Sequence, residues 1–371
     1  MPQDSPESQR YRLASLTDKR ALSKLGIIGL VVLIIVMCFA YAGGWLWADR
    51  LSQAKVIDGF ELANGGVHSG FRRNHAKGVC VTGSFESNGA GARLSRATVL
   101  SPGSFAVAGR ISLAGGHPGA ADEPTDVRAM GLRILPPTGE EWRTAMIDLP
   151  VFVVRDPESF YEQLLATKPD PATGKPDPAK VAAFSNAHPE FAAAMKVVKS
   201  NPFSSGFANA NYNSLIAFRF VNAAGVVTPV RWSMVATDPF APEAADQAKG
   251  PDKNYLFDDL IARLARGPVQ WHLVVTIAKP GDATDDATIR WPADREHVDV
   301  GTLTLDRAET EAPGNCRDIN FDPLALPAGI ESSDDPLLSL RSAGYSESFT
   351  RREGEKKTPS AVQVPVTGKG P

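Results

Sequence analysis

Phe71-Arg72-Arg73-Asn74-His75-Ala76-Lys77-Gly78 runs straight into the stretch Val79-Cys80-Val81-Thr82-Gly83-Ser84-Phe85. The second half is rich in β-formers and reads as a strand, with a histidine among cations just before it. Far along the chain stands Arg341-Ser342-Ala343-Gly344-Tyr345. Residues four apart share one face of a helix, so a helical segment would set Arg341 beside Tyr345. A lone histidine or tyrosine is more often an ordinary packed residue than a reactive one. Coincidence in both stretches is much rarer than in one.

Outward from the first stretch the texture is β-rich. Residues 78–85, 151–154, 214–221 and 272–277 read as strands, and Asn222-Ala223-Ala224-Gly225 and Thr138-Gly139 as turns. Helical patterns are fewer: residues 157–166, 178–198 and 255–266. The last opens near Asp258 and Asp259 and ends on Arg263, Arg266 and Gly267-Pro268, a helix stop. Three stretches rich in Pro, Gly, Ala and charge (residues 168–175, 238–253 and 279–286) read as loops within one domain, because strand texture resumes after each. From residue 353 apolar periodicity vanishes, and a disordered tail over 353–371 is expected.

A chain of 371 residues can bury a large core. Its formal net charge of −3, with no basic stripe interleaved with aromatics, argues against a nucleic-acid partner. Three cysteines are too few for a disulfide scaffold, and no Cys-x-x-Cys pair suggests a zinc site. Cys80 and Cys316 could pair in an oxidising compartment, but sequence does not show that they meet. The favoured reading leaves them free, as small buried hydrophobes.

Residues 25–47 hold no charged side chain, and about 20 such residues span a bilayer's hydrocarbon core. Arg10, Arg12, Lys19, Arg20 and Lys24 precede the run, which places the N-terminus in the cytoplasm. Tyr41, Trp45 and Trp47 form an aromatic belt at the far interface. The expectation is a cytoplasmic tail (1–24), a single transmembrane helix (25–47) and an extracytoplasmic domain over 48–352, periplasmic in a Gram-negative cell. A cleaved signal peptide ending at Ala40-Tyr41-Ala42 is the alternative, although the run is long for a signal core.

Several motifs, in order, resemble the haem catalase superfamily, and most closely its smaller catalase-related peroxidases. His75-Ala76-Lys77-Gly78 is similar to the family's distal-histidine segment. Gly109-Arg110-Ile111-Ser112 and Pro150-Val151-Phe152-Val153-Val154-Arg155-Asp156-Pro157 resemble two of its strands. Phe321-Asp322-Pro323, Leu326-Pro327-Ala328-Gly329-Ile330-Glu331, Arg341 and Tyr345 resemble its proximal block. The resemblance covers residues 70–352. It implies an α+β chain: a catalase-like antiparallel β-barrel with surrounding helices, here with one N-terminal transmembrane helix.

The same resemblance implies a haem, b-type iron protoporphyrin, with Tyr345 as iron ligand and Arg341 as the cation beside its phenolate. It implies His75 above the iron, moving a proton between the two oxygens of a peroxide, a task suited to a group titrating near neutrality. Arg72, Arg110 and Arg352 align with arginines that bind haem propionates, Phe160 with an aromatic against the porphyrin, and Phe152 with one lining the distal pocket. The remaining histidines (His68, His117, His188, His272 and His297) read as structural.

The chain departs from the family pattern in three places. Ile147 stands where catalases have the distal asparagine, unless a one-residue shift brings Asp148 there. Ser346-Glu347 replaces a Pro-Asp pair, and Phe349 replaces a histidine near a propionate. These departures weaken the case for rapid peroxide disproportionation. They fit a peroxidase that reduces hydrogen peroxide or an organic peroxide with a small organic donor. A lipid hydroperoxide lyase or dehydratase, or a non-catalytic haem-binding redox sensor, are the alternatives.

Overall fold

The computed structural model describes residues 19–43, 50–243, 252–312, 314 and 316–365. The chain forms two units, residues 1–52 and 53–371. In the first, helix α1 (Lys19–Ala42) contains Ala21–Ala42, with a mean hydropathy of 2.8 and none of that span buried. Its length and composition suit a membrane crossing. Residues 1–18 of the expected tail, and Trp45 and Trp47 of the expected belt, lie outside the described residues.

The second unit is built on ten strands: β1 (Gly78–Ser87), β2 (Gly103–Leu113), β3 (Arg128–Leu135), β4 (Trp142–Ile147), β5 (Tyr212–Asn213), β6 (Phe218–Val221), β7 (Val227–Ala236), β8 (Val269–Ile277), β9 (His297–Glu309) and β10 (Ile330–Ser332). Their order is β10-β6-β7-β5-β4-β3-β2-β1-β9-β8, and an additional β7–β8 pairing closes the ring. Eight antiparallel strands (all but β6 and β10) therefore make a barrel without exposed edges. Alternation fills it: Trp142, Thr144 and Met146 of β4 are buried while Arg143, Ala145 and Ile147 between them are only half-buried. Trp232, Trp271, Phe85 and Leu273 complete the interior.

Helices α2 (Gln53–Ala63), α3 (Pro157–Thr167), α4 (Pro178–Ala187), α5 (Pro189–Lys199), α6 (Tyr255–Arg266) and α7 (Pro336–Glu353) accompany the barrel. The pattern read over 178–198 divides at His188, which precedes Pro189 and leaves the helical region with φ −123° and ψ 80°. Proline disfavours the α conformation in the residue before it. Residues 151–154 are an irregular segment rather than a strand. They leave the sheet after Ile147 and are buried against α3 to α5, so their apolar run records burial, not pairing.

Two expectations need correction. The stretch 354–365 is not a loose tail. Val362 is fully buried, Glu355 pairs with Arg73, and Thr310 and Val364 exchange hydrogen bonds. These partners lie some 50 to 290 residues away in sequence, so no local pattern announces them. Residues 366–371 lie outside the described residues. Cys80 and Cys316 are not free: they form a disulfide. Strand β9 pairs with β1 so that Glu309 lies opposite Cys80, and the chain then turns back within seven residues to bring Cys316 onto it. Closing a loop of 236 residues restricts the unfolded chain strongly. Cys316→Ser should therefore lower unfolding free energy by about 2–5 kcal/mol, read as the shift of the urea midpoint against the oxidised parent.

Candidate functional site

Helix α7 carries three of the singled-out residues because its register puts them on one stripe. Asp335 caps it, its carboxylate accepting from Leu337 N at 2.9 Å, and Pro336 opens it. From Arg341 to Tyr345 is four residues and from Tyr345 to Arg352 seven, and both spacings return to the same face at 3.6 residues per turn. The helix is fixed to the chain before it by Ser342, whose Oγ donates to Asp322 Oδ2 at 2.7 Å. Arg351, on the other side, pairs with Asp58 and Glu61 of α2 and with Glu347 of α7. Arg341 Nη2 donates to the Ala145 carbonyl on the outer face of β4 at 3.2 Å. Tyr345 packs against Cys80, Cys316 and Phe321.

Arg110 and Ser112 alternate onto one face of β2, opposite Cys80 and Gly78 of β1. Gly78 is required there, because a Cβ at that position would collide with the Arg110 guanidinium. His75 lies just before β1 in a left-handed conformation, φ 55°, which is strained for any residue with a Cβ. Asn74 holds the turn: its Oδ1 accepts from His75 N at 3.0 Å and from Gly115 N at 2.8 Å. His75 Nδ1 lies 3.5 Å from Ser112 Oγ.

Burial, and then the positive charges of Arg110, Arg341 and Arg72, push the His75 imidazole down to about 3, against a weaker pull from the Leu113 carbonyl. The sequence expectation of a group titrating near neutrality is thus altered. The surroundings of His75 favour the neutral imidazole over the imidazolium.

Arg72, Arg110 and Arg352 converge. Burial, then Arg110 and Arg352, lower the Arg72 guanidinium well below its ordinary range, while Glu311 and Tyr345 oppose the shift. Among the described residues the cluster's buried carboxylate is Glu311. Its Oε1 accepts from Arg110 Nε at 2.6 Å and from Arg72 Nη1 at 3.2 Å, and its Oε2 from Arg110 Nη2 at 3.1 Å. Backbone carbonyls finish the cradle. Those of Cys316, Arg317 and Ile319 accept from Arg72 Nη2 at 3.3, 3.3 and 2.9 Å, and that of Arg317 accepts from Arg352 Nη1 at 3.1 Å. The disulfide ties this carbonyl-bearing loop to β1.

Three guanidiniums against one carboxylate leave a surplus of positive charge, and the buried Arg352 Nε has no protein partner. Such a bay suits a group bearing carboxylates. Glu311 had no sequence signal: it stands alone two residues beyond β9, and only the folded neighbours reveal its part.

Phe160 lies apart from these residues, packed with Val154, Phe184 and Phe191. Asp156 caps α3, its Oδ1 accepting from Ser159 N at 2.8 Å, and Phe160 in the first turn faces Phe152 at 5.9 Å and Phe60 at 5.6 Å between ring centroids. The question at residues 147 and 148 resolves against a polar substitute beside His75. Ile147 packs with the apolar cluster of Leu149, Val151 and Val198. Asp148 accepts from Arg128 N at 3.0 Å and faces a separate cavity of about 690 Å³ lined also by Pro150, Asn213, Trp232 and Trp291. Burial raises its carboxyl to about 7.

The family model named Catalase matches residues 70–367, a span containing every residue of this bay. The chain belongs to the catalase family. It is 39% identical over 328 residues to the catalase-related peroxidase of Synechococcus elongatus, covering 88% of this chain and 95% of that one. It is 32% identical over 315 residues to the catalase-related peroxidase of Mycolicibacterium paratuberculosis, covering 85% and 99%. Against a solved fungal catalase the TM-score is 0.69 at 21% identity, covering 80% of this chain but 62% of that one.

Two departures of this catalase-family chain have local explanations. Glu347 accepts from Arg351 Nε at 2.7 Å within α7, and the Phe349 ring lies 5.5 Å beneath the Arg352 guanidinium. Phe349 thus holds the arginine by a cation–π contact.

Proposed function

We propose that the chain is a membrane-anchored haem peroxidase that reduces hydrogen peroxide or an organic peroxide with a small organic electron donor. The observation that carries this reading is the bay itself. Two stretches some 270 residues apart bring an imidazole held neutral, a helix-borne tyrosine and a surplus of largely buried guanidinium charge to one place. The names of the two catalase-related peroxidases support the same activity.

In this reading Tyr345 binds haem iron through its phenolate and Arg341 stands beside it as the charge partner. Arg72, Arg110 and Arg352 hold the propionates, while Phe160 and Phe152 exclude water from the porphyrin edge. The haem, b-type in this reading, supplies redox chemistry that no side chain can. His75, neutral and strained toward the site, accepts a proton from bound peroxide and returns it to the departing oxygen, which leaves as water. With Ile147 packed among Leu149, Val151 and Val198 where catalases have an amide, peroxide is oriented by His75 alone. That favours turnover with a donor over disproportionation.

The cysteine pair supports an oxidising compartment for residues 53–365, since disulfides persist outside the cytosol. Together with the basic residues before the apolar run 25–47, it favours a single-pass protein of the cytoplasmic membrane with its N-terminus in the cytoplasm and the haem unit outside.

The test is the full-length protein in detergent, reconstituted with hemin. A high-spin ferric spectrum without thiolate features, and peroxide-dependent oxidation of a chromogenic donor, are expected. A colourless protein sinks the reading. A coloured protein that rearranges lipid hydroperoxides without consuming donor replaces it with a lyase.

A further inference from the structure

Glu311 is the part of the bay that the reading above leaves unused. It is buried, and it meets two of the three guanidiniums through three hydrogen bonds of 2.6 to 3.2 Å. Burial alone would raise its carboxyl. Arg110, then Arg72 and Arg352, overcome that and hold it below the usual carboxylate range, which favours the anion.

Its position is not adjustable. Thr310 beside it exchanges hydrogen bonds with Val364, Ala312 N donates to Ser360 Oγ at 3.0 Å, and the Cys80–Cys316 disulfide fixes the loop that follows. Arg317 and Asp318 act on Arg352 with opposite sign, and Glu355 is paired with Arg73. Three guanidiniums less one carboxylate leave two positive charges, and a porphyrin with two propionates neutralises them.

We propose that Glu311 sets the charge count of the bay, occupying one of three arginine charges so that the site selects a porphyrin with two carboxylates. This rests on the haem reading above and deepens it. Glu311 is a positioning and specificity residue: it acts through Arg72 and Arg110.

The test compares hemin with hemin monomethyl ester, which lacks one carboxylate. The rate at which each leaves the full-length protein is read spectroscopically by transfer to apomyoglobin. In the parent the ester leaves faster by some ratio. In Glu311→Gln each ligand carboxylate faces three uncompensated cations rather than two, so that ratio should rise by about tenfold or more at an effective dielectric near ~20. Glu311→Asp keeps the charge and should keep the parental ratio even if both ligands leave faster. Arg352→Gln, with one cation fewer, should lower the ratio, and this arm serves if Glu311→Gln does not fold.

Ratios that do not move among these variants overturn the proposal, because a merely structural glutamate would weaken both ligands alike. If the parent retains neither ligand, the haem reading itself has failed.

Discussion

Tyr345→Phe is expected to abolish stable haem binding while leaving the protein folded. The substitution deletes one oxygen and keeps the ring, which packs against Cys80, Cys316 and Phe321. The haem-free variant should therefore unfold within about 0.5 kcal/mol of the parent, as a substitution that creates no cavity does. Hemin added to it should pass to apomyoglobin at least about a hundredfold faster, which corresponds to about 3 kcal/mol at 1.4 kcal/mol per tenfold. The arginines would still attract the propionates, so a weak complex is expected, with the altered spectrum of an iron lacking its phenolate. Parental hemin retention with an unchanged spectrum would move the ligand elsewhere and leave Tyr345 as a packing residue.

The comparison with Arg341 sharpens this. Arg341 is anchored by the Ala145 carbonyl rather than by a carboxylate, so its charge is left available to its neighbours on the α7 stripe and to His75. A cation placed one helical turn before a phenolate favours the anionic form. Its positive field also falls on His75 and opposes imidazolium formation there. Arg341 thus biases the histidine toward neutrality, the state that its proposed role requires.

What could be read from the sequence was what chemistry writes locally. The stripe of Arg341, Tyr345 and Arg352 follows from helical spacing, and His75 stands out because a motif surrounds it. Its β-forming residues made β1 legible, and period-two burial accompanies β8. The features that escaped depend on partners distant in sequence. Glu311 becomes meaningful only where β9 returns to β1, and Cys80 and Cys316 meet only because that pairing turns the following loop back.

The segment 354–365 carries no periodicity, yet it is held by Arg73, Thr310 and the chain near Ser69. Residues 151–154 misled in the opposite direction. A short apolar run signals burial, and sheet and helix cover bury it equally well. Helix α2 was missed although Val56, Ile57 and Phe60 recur at helical spacing in it, because it is only eleven residues long. Its contacts with α7 run through Asp58, Glu61 and Arg351, and Gly59 lets the Tyr161 ring come close.

His75→Ala should give the converse of the tyrosine variant: haem retained, with peroxide turnover reduced by about 10²–10⁴-fold, the usual contribution of a positioned acid–base group. Among the described residues none of the arginine hydrogen bonds runs through the imidazole, whose side-chain polar partner is Ser112 at 3.5 Å, so the bay should keep its grip on the propionates. The small residue also relieves little, because alanine at φ 55° carries nearly the same backbone strain as histidine. Stability should fall by no more than about 1–2 kcal/mol, the range of most point substitutions.

Chemical rescue discriminates the role. An imidazole in solution should restore part of the peroxide step in the alanine variant if proton transfer is what was lost, and nothing if the loss is one of shape. The fall should appear in the rate of reaction with peroxide rather than in the dependence on donor, since the donor acts after the oxygen–oxygen bond has broken. Parental peroxide reactivity in a haem-loaded His75→Ala protein would remove this residue from the chemistry and leave the strained turn at φ 55° without a purpose.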